Sequence, residues 1–308
     1  MIKTRLASHH YFSNKQINAI SELTGGLNNE VYKVELADCA VVVRLKDSDP
    51  EQQTELAVQQ VVANMHHAPR VLYHQSGDPL NVFEFIDGTH QPGSDWSPAQ
   101  LSRFAGQLAA IHQLPTNFTP QLSTTNLLQQ INIYQQQLKL NSTEQPLVQA
   151  AIARLSDLDH YPPTLGLCHQ DLLPQNIICS DNKRWIIDWE FAEQGDVYFD
   201  LAGFIIEHQL TTKQSHDFVS TYFSQQNSSL SNILDKTKTK TLYKTSSEAK
   251  LTLMKIAYNL ICWLWHKVEV AGIAITNETL QQIHQQRQDV YWRGLSAASA
   301  VKVPGISM

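Results

Sequence analysis

The sequence predicts an α+β protein, with a small antiparallel β-sheet in its N-terminal part and a mainly helical C-terminal part. Short runs rich in β-branched residues alternate with turn residues as far as residue 86, whereas apolar residues recur at helical spacing from residue 97 onward. The densest group of turn residues, at positions 87–94, separates the two patterns. We therefore predict an N-terminal domain over residues 1–88 and a C-terminal domain over residues 89–308.

The N-terminal domain is expected to contain four strands and one helix. Apolar, β-branched runs bounded by turn residues predict strands at residues 31–36, 40–45, 71–74 and 81–86. A short polar corner separates the first two runs, so they should form a hairpin. Asp49 is a suitable N-cap and Pro50 a suitable first helical residue, which predicts a helix from Pro50 to about Met65.

The C-terminal domain is predicted to be helical. Ser97-Pro98-Ala99-Gln100 is an N-cap signature for a helix that should stop near Pro115. Further helices are expected at residues 125–140 and 144–155, and again from residue 201 to about residue 296. A stretch rich in Ser, Thr and Lys at residues 224–244 should interrupt this last region as a mobile connection or a loose helix pair.

Composition excludes several classes of protein. Six Trp, ten Tyr and ten Phe give the chain too much apolar area for a disordered protein. The 23 basic and 29 acidic residues give a net charge of −6, so we expect no nucleic-acid partner and no membrane-surface partner. The most apolar stretch, residues 251–265, is shorter than the about 20 residues that a membrane span needs, and it contains Lys255 and Asn259.

Cysteine usage and the N-terminus favour a cytoplasmic protein. The four cysteines are far apart, form no C-x-x-C pair and have apolar neighbours, so we expect buried free thiols. The first 14 residues lack the apolar run of a signal peptide.

The strongest chemical signal lies between His169 and Glu190. Two short apolar runs, at residues 177–179 and 185–187, predict a hairpin with polar residues at both ends. Asn176 and Asp188 would supply the hard oxygen ligands that Mg²⁺ prefers. Asp171 would then face an acceptor hydroxyl and accept its proton while the metal neutralises phosphate charge. This pattern predicts phosphoryl transfer.

These residues also resemble a known family. His169-x-Asp171 with Asn176, followed by Ile187-Asp188, is similar to the catalytic and metal-binding motifs of the protein-kinase-like fold, in the branch of aminoglycoside phosphotransferases, choline kinases and thiamine kinases. The resemblance implies a two-lobed fold, ATP as donor and Mg²⁺ as cofactor. It also implies that His169 supports the catalytic loop by hydrogen bonding and that Asp200 braces the loop from below.

The resemblance extends to the nucleotide side. It implies that a loop at residues 23–29 cradles the nucleotide through three residues: Gly25, Gly26 and Asn29. Arg44 would contact the α- and β-phosphates, with Glu55 as its ion-pair partner and Glu51 as the alternative. Backbone groups of Glu84 and Ile86 would receive the edge of the adenine.

The acceptor is expected to be a small molecule with a positive charge. Only eleven residues separate Asp188 from Asp200, too few for the segment by which protein kinases hold a peptide. Seven acidic residues against two basic ones between positions 181 and 210 favour a cationic acceptor, and we expect Trp189 and Glu190 to bind it. Two more carboxylates in this stretch are available for the same purpose: Glu193 and Glu207.

Several acceptors fit this expectation. The pattern at residues 187–192 looks most like bacterial thiamine kinases and bacterial choline kinases, and we rank thiamine narrowly ahead of choline, with aminoglycosides third. A catalytically silent nucleotide-binding or scaffold protein with this fold is the alternative of another class. ATP turnover distinguishes that protein from a kinase.

Overall fold

A five-stranded antiparallel sheet forms the N-terminal part of the computed structural model, which describes residues 2–23, 30–46, 50–117, 122–227, 238–272 and 278–300. Helix α1 (Ile2–Ser8) precedes the sheet, and helix α2 (Pro50–Asn64) connects its third and fourth strands. The strands lie in the order β1-β2-β3-β5-β4 and have these bounds: β1 (Ile17–Glu22), β2 (Glu30–Leu36), β3 (Ala40–Leu45), β4 (Val71–Tyr73) and β5 (Leu80–Glu84).

The predicted hairpin and the helix after it are confirmed. In the β2–β3 hairpin, Val34 pairs with Val41 and Val31 pairs with Arg44. Alternate apolar residues of these strands form the core of the sheet together with Leu6 of α1. Sequence reasoning missed α1 and β1, because half of the β1 residues are polar and four of the six are exposed.

Seven helices make up most of the described C-terminal part. They are α3 (Pro98–His112), α4 (Leu127–Gln136), α5 (Glu144–Leu155), α6 (Val197–Glu207), α7 (Thr212–Asn227), α8 (Lys238–Gly272) and α9 (Glu278–Ala300). The N-cap signature before α3 is confirmed, because Ser97 Oγ accepts a hydrogen bond from the Gln100 backbone and the Gln100 side chain accepts one from the Ser97 backbone. The interruption predicted at residues 224–244 is shorter in the structure, since α7 continues to Asn227 and α8 begins at Lys238. Residues 228–237 lie outside the described residues.

Two small antiparallel sheets of two strands each lie among the helices. β7 (Ile177–Ser180) pairs with β8 (Lys183–Ile186), as expected, and β6 (Leu165–Cys168) pairs with β9 (Glu193–Asp196). The second pair was not predicted, because its strands are distant in sequence and each contains a glycine. Gly166 is needed for close packing, since a Cβ at this position would lie 2.5 Å from the backbone oxygen of His112.

The core of the C-terminal part is centred on α6, which is buried along almost its whole length. Phe204 packs between Phe104 of α3 and Phe218 of α7. Val58 and Val62 of α2 belong to this large core and not to the core of the sheet. The α+β class is therefore confirmed, whereas the domain boundary at residue 88 stays a prediction.

The cysteines and the helices bear on two other expectations. All four thiols are free, but only Cys168 is buried as predicted; Cys179 and Cys262 are half-buried, and Cys39 is exposed at the β2–β3 turn. The turn was recognisable in the sequence because its residues are polar, and the same polar turn exposes the Cys39 side chain to solvent. No helix among the described residues is long and apolar enough to span a membrane.

Candidate active site

The catalytic loop lies between β6 and β7 and contains the Asp171 carboxylate. Asn176 ends the 3₁₀ turn Pro174–Asn176, immediately before β7, and its Nδ2 donates to the Asp171 backbone oxygen at 2.9 Å and to Asp171 Oδ2 at 2.8 Å. Both bonds use the amide nitrogen, so the amide oxygen is the atom left to bind a cation. The structure thus joins the two polar groups that sequence reasoning assigned to proton transfer and to the metal.

Asp200 of α6 holds the start of this loop. Its buried carboxylate accepts hydrogen bonds from the backbone N–H groups of His169 (2.7 Å) and Gln170 (2.8 Å), and it lies 3.1 Å from His112 Nε2. Burial raises the pKa of Asp200, but the hydrogen bond and charge of His112, with His169, hold this pKa below its ordinary value. The carboxylate is therefore ionised and ties α6 to the loop.

His169 is buried, and both of its ring nitrogens are used in hydrogen bonds to the backbone. Its Nδ1 accepts from the Asp171 backbone N–H at 3.2 Å, so in the neutral ring Nε2 carries the proton and donates to the Ile187 backbone oxygen at 3.0 Å. Burial lowers the pKa of His169, which favours this neutral form. The imidazole thus connects the catalytic loop to the segment that carries Asp188.

Asp188 follows β8 in a strained backbone conformation. Its φ of +67° lies in the left-handed region, which Asp tolerates better than most residues. Burial, followed by the negative charges of Glu190 and Glu55, raises the pKa of Asp188 to about 6. Asp188 Oδ1 is buried and accepts no hydrogen bond from the described residues. A buried carboxylate oxygen of this kind fits a Mg²⁺ ligand.

Asp171 has the electrostatics of a general base. Burial, followed by the negative charges of Asp188 and Glu207, raises its pKa to about 7. A carboxylate with this pKa is a stronger proton acceptor than an ordinary aspartate and is still substantially ionised at neutral pH. The three residues that carry the predicted chemistry therefore act on one another in the folded chain.

The nucleotide side contains a buried ion pair. Arg44 Nη1 lies 2.6 Å from Glu55 Oε1 and 3.7 Å from Asp188 Oδ1. Glu55 is therefore an ion-pair partner of Arg44; the side chain of Glu51, the alternative partner, lies outside the described residues. The predicted nucleotide loop residues also lie outside the described residues: Gly25, Gly26 and Asn29.

The predicted adenine-binding strand needs one refinement. The backbone N–H of Glu84 donates to the Arg70 oxygen at 2.9 Å, and the Glu84 carboxylate pairs with the Arg70 guanidinium at 3.1 Å. Glu84 therefore cannot offer its N–H to a ligand. Ile86, two residues beyond and half-buried, is the position from which an N–H can be donated.

Trp189, which was expected to bind the acceptor, has other contacts in the structure. Trp189 has no exposed surface, its Nε1 donates to the Ile186 oxygen at 3.2 Å, and its ring meets His169 edge-on. A fully buried ring cannot stack on a substrate, so the expected role of Trp189 is corrected to packing beneath the catalytic loop. The exposed aromatic ring of this segment is that of Phe191, with 51% of its surface accessible.

Glu190 faces the nucleotide side of the site. Its Oε2 lies 3.1 Å from Lys46 Nζ, and Lys46 follows β3 in the sheet. The carboxylates of Glu55 and Glu190 outweigh partial burial and raise the pKa of Lys46, so this residue is cationic. Glu190 is therefore neutralised by a lysine, and Glu193 is buried on β9. Neither carboxylate lies free for a cationic acceptor.

Another buried carboxylate, that of Glu207, lies close enough to Asp171 to raise its pKa. Glu207, at the end of α6, accepts hydrogen bonds from Tyr258 of α8 (3.1 Å) and Tyr291 of α9 (2.6 Å), and it pairs with Arg287 of α9 at 2.7 Å. Sequence reasoning named Glu207 but missed Arg287. Its position four residues before Tyr291, on the same face of a helix, was the available signal.

Comparisons with known proteins agree with this geometry. The model of the phosphotransferase enzyme family matches residues 19–232. A protein LicA homolog from Mycoplasma capricolum subsp. capricolum is 29% identical over 195 residues, which are 62% of this chain and 68% of that protein.

Solved structures have the same fold. A choline/ethanolamine kinase family protein from Mesorhizobium loti superposes with a TM-score of 0.70 at 18% identity, over 97% of this chain and 98% of that one. The choline kinase LicA from Streptococcus pneumoniae gives a TM-score of 0.68 at 18% identity, over 96% and 98%. The expected two-lobed, protein-kinase-like fold is confirmed. The chain belongs to the phosphotransferase enzyme family and is a small-molecule kinase of the superfamily that contains choline kinases and aminoglycoside phosphotransferases.

Proposed function

We propose that this kinase transfers the γ-phosphoryl group of ATP to the hydroxyl of a small cationic alcohol, with choline as the first candidate. The observation that carries the proposal is the joined set of Asp171, Asn176 and Asp188. It supplies a proton acceptor of raised pKa that is hydrogen-bonded to Asn176, and a second oxygen ligand, Asp188, whose Oδ1 accepts no hydrogen bond from the described residues. Since ATP is the donor, the proposal places the reaction in the cytoplasm.

Each member of the set has one role in the proposal. Asp171 accepts the proton of the attacking hydroxyl through its carboxylate. Asn176 Oδ1 and Asp188 hold Mg²⁺, which neutralises charge on the transferred phosphoryl group when it is bound. Asn176 Nδ2 keeps the Asp171 carboxylate in place, because it donates to both the backbone and the side chain of that residue.

The nucleotide is proposed to lie between the sheet and the catalytic loop. The Glu84 carbonyl and the Ile86 N–H would receive the adenine edge, since the Glu84 N–H is already used. Arg44 would contact the α- and β-phosphates and is held for this task by Glu55 at 2.6 Å. The loop with Gly25, Gly26 and Asn29 completes the proposed site.

The acceptor is proposed to lie on the opposite side of Asp171. Phe191, three residues after Asp188, has an exposed ring, and the Glu207 carboxylate lies close enough to Asp171 to raise its pKa. Because Glu207 is already paired with Arg287, the exposed aromatic face is the group that would attract a quaternary ammonium group. Choline and thiamine both combine such a cation with a primary alcohol. We now place choline first, because the relatives are named as LicA proteins and as choline kinases.

The test is ADP release measured with Mg²⁺–ATP and choline, thiamine, ethanolamine or kanamycin under identical conditions. We expect kcat/KM for choline to exceed that for each other acceptor at least tenfold. A lead by thiamine would retain the cationic alcohol and change its identity. A lead by kanamycin would make the protein an aminoglycoside phosphotransferase. No turnover with any acceptor and no ATP hydrolysis would favour the catalytically silent alternative.

A further inference from the structure

Two cations extend from one face of the sheet at the end of β3. Lys46 directly follows the strand, and its backbone N–H donates to the Pro79 oxygen at 3.0 Å, which fixes the chain at this point. Because side chains alternate along a strand, Arg44 and Lys46 lie on the same face while Leu45 between them is buried in the sheet core. The Lys46 side chain is therefore directed to the same site as Arg44.

Lys46 connects the sheet to the catalytic half of the site. Its Nζ lies 3.1 Å from Glu190 Oε2 and 3.7 Å from Glu55 Oε2. Glu190 comes two residues after Asp188, on the segment that follows β8. The pair is thus an ion pair between the two walls of the proposed nucleotide site.

The two cations differ in freedom. Arg44 is 9% exposed and held by Glu55 at 2.6 Å, whereas Lys46 is 20% exposed and its partner Glu190 is 26% exposed. A partly exposed ammonium–carboxylate pair is weak, and the lysine stem can turn its ammonium group to another acceptor. A polyphosphate carries more charge than one carboxylate and competes well for such a donor.

The charges around Lys46 also favour a cation that can turn toward the phosphates of the nucleotide. Three carboxylates, from Glu55, Asp188 and Glu190, face only Arg44 and Lys46 across the described part of the site. In the absence of a metal ion this negative excess repels a polyphosphate, and a cation that turns toward the phosphates reduces that repulsion.

We propose that Lys46 is a second phosphate-binding cation of this kinase, which exchanges its bond to Glu190 for the terminal phosphates of the nucleotide. The inference rests on the proposed binding of ATP and adds a binding residue to it. In this proposal Arg44 stays near the α- and β-phosphates, and Lys46 binds the terminal phosphates when the nucleotide carries them.

The test is isothermal titration of ATP and AMP in EDTA, so that metal ligation by carboxylates does not contribute. Lys46→Met should raise the Kd for ATP about tenfold, the loss of one charge-assisted contact, and leave the Kd for AMP within about twofold. Lys46→Arg should retain most of the ATP affinity. Lys15→Met removes the same charge from an exposed position of the N-terminal part and should leave both constants unchanged.

A second substitution tests the exchange itself. Glu190→Gln should tighten ATP binding about threefold more in the presence of Lys46 than in Lys46→Met, because both backgrounds lose a repelling charge but only the first also releases the lysine. Thermal unfolding of each variant shows whether it is folded. If Lys46→Met does not fold, the ATP affinities of Lys46→Arg and Glu190→Gln still test the proposal.

The outcomes separate the two proposals. If wild-type protein binds no ATP either in EDTA or with Mg²⁺, the proposed function fails, and this inference fails with it. If wild-type protein binds ATP but Lys46→Met binds it equally well, or loses ATP and AMP affinity to the same extent, only the role of Lys46 is overturned.

Discussion

The Asn176 side-chain amide lies 2.8 Å from the Asp171 carboxylate and donates to it. The two ends of one amide thus have different tasks in the proposal, since the nitrogen fixes the proposed proton acceptor and the oxygen would be a ligand of the metal. The position of the base therefore depends on the residue that would hold the metal.

Asp171→Asn should lower kcat by about 10²–10⁴ and leave the Kd for ATP nearly unchanged, because the carboxylate addresses the acceptor hydroxyl and not the nucleotide. Steady-state kinetics with choline and a nucleotide titration measure the two effects separately. Wild-type turnover in this variant would contradict the assigned role.

The pH profile should show an acidic limb near pH 7. Because the Asp171 pKa is raised to about 7 and only the ionised carboxylate accepts a proton, kcat/KM for ATP should rise as the pH increases through this value. Glu207→Gln removes a negative charge that raises this pKa, so the limb should move to lower pH. A limb below pH 5 in wild-type protein, or an unmoved limb in the variant, would speak against Asp171 as the base.

Asp188→Ala should weaken the binding of Mg²⁺–ATP, because a phosphate-bridging metal loses a carboxylate ligand. The dependence of ATP affinity on Mg²⁺ concentration is the measurement, with affinity for ATP in EDTA as the control. If the metal titration of the variant matches that of wild-type protein, Asp188 is not a ligand.

Trp189 and Phe191 form a matched pair of aromatic residues with opposite expected effects. Trp189→Ala should lower the free energy of unfolding by about 3–5 kcal/mol, since it empties a fully buried position. Phe191→Ala should leave stability within about 0.5 kcal/mol and lower kcat/KM for choline about tenfold through loss of a cation–π contact. Chemical denaturation and acceptor kinetics on both variants decide the assignment; a stable Trp189→Ala protein with impaired choline use would reverse it.

Asp200→Asn should lower the free energy of unfolding by about 3 kcal/mol, because a buried anion with two backbone donors and His112 is replaced by a neutral amide. The folded-state pKa of Asp200 is lowered, so its contribution is fully present above the unfolded pKa and is lost as the pH falls through the lower, folded value. Wild-type and variant stabilities should therefore converge only in strong acid. Equal stabilities at neutral pH would show that Asp200 does not brace the loop.

Local sequence spacing predicted the parts of the site that are local in the fold. Asp171 and Asn176 are five residues apart on one loop, and Arg44 and Glu55 lie on a strand and the helix that follows it, so a hairpin and a cap signal place them well. The β6–β9 pair escaped prediction because its strands are short, distant in sequence and contain glycine.

Side-chain direction after β8 could not be predicted. Asp188 has a left-handed φ, and a turn closed by the hydrogen bond from the Ala192 N–H to the Trp189 oxygen follows it, so strand alternation does not continue; Trp189 is buried and Phe191 is exposed. The contact between Glu207 and Arg287 joins residues 80 positions apart through the packing of α6 against α8 and α9. Only the folded chain shows such a contact.

The division of the apolar cores has a consequence for cooperative opening. Val58 and Val62 attach α2 to the large helical core, and the backbone of His67, just after α2, accepts a hydrogen bond from Ile186 at 2.8 Å. In native-state amide hydrogen exchange, α2 should therefore be protected to the same degree as α3 and α6, while the strands of the sheet exchange as a separate, less stable unit. Arg44 and Glu55 then belong to different units of opening, and their ion pair breaks whenever the sheet detaches from the rest of the chain.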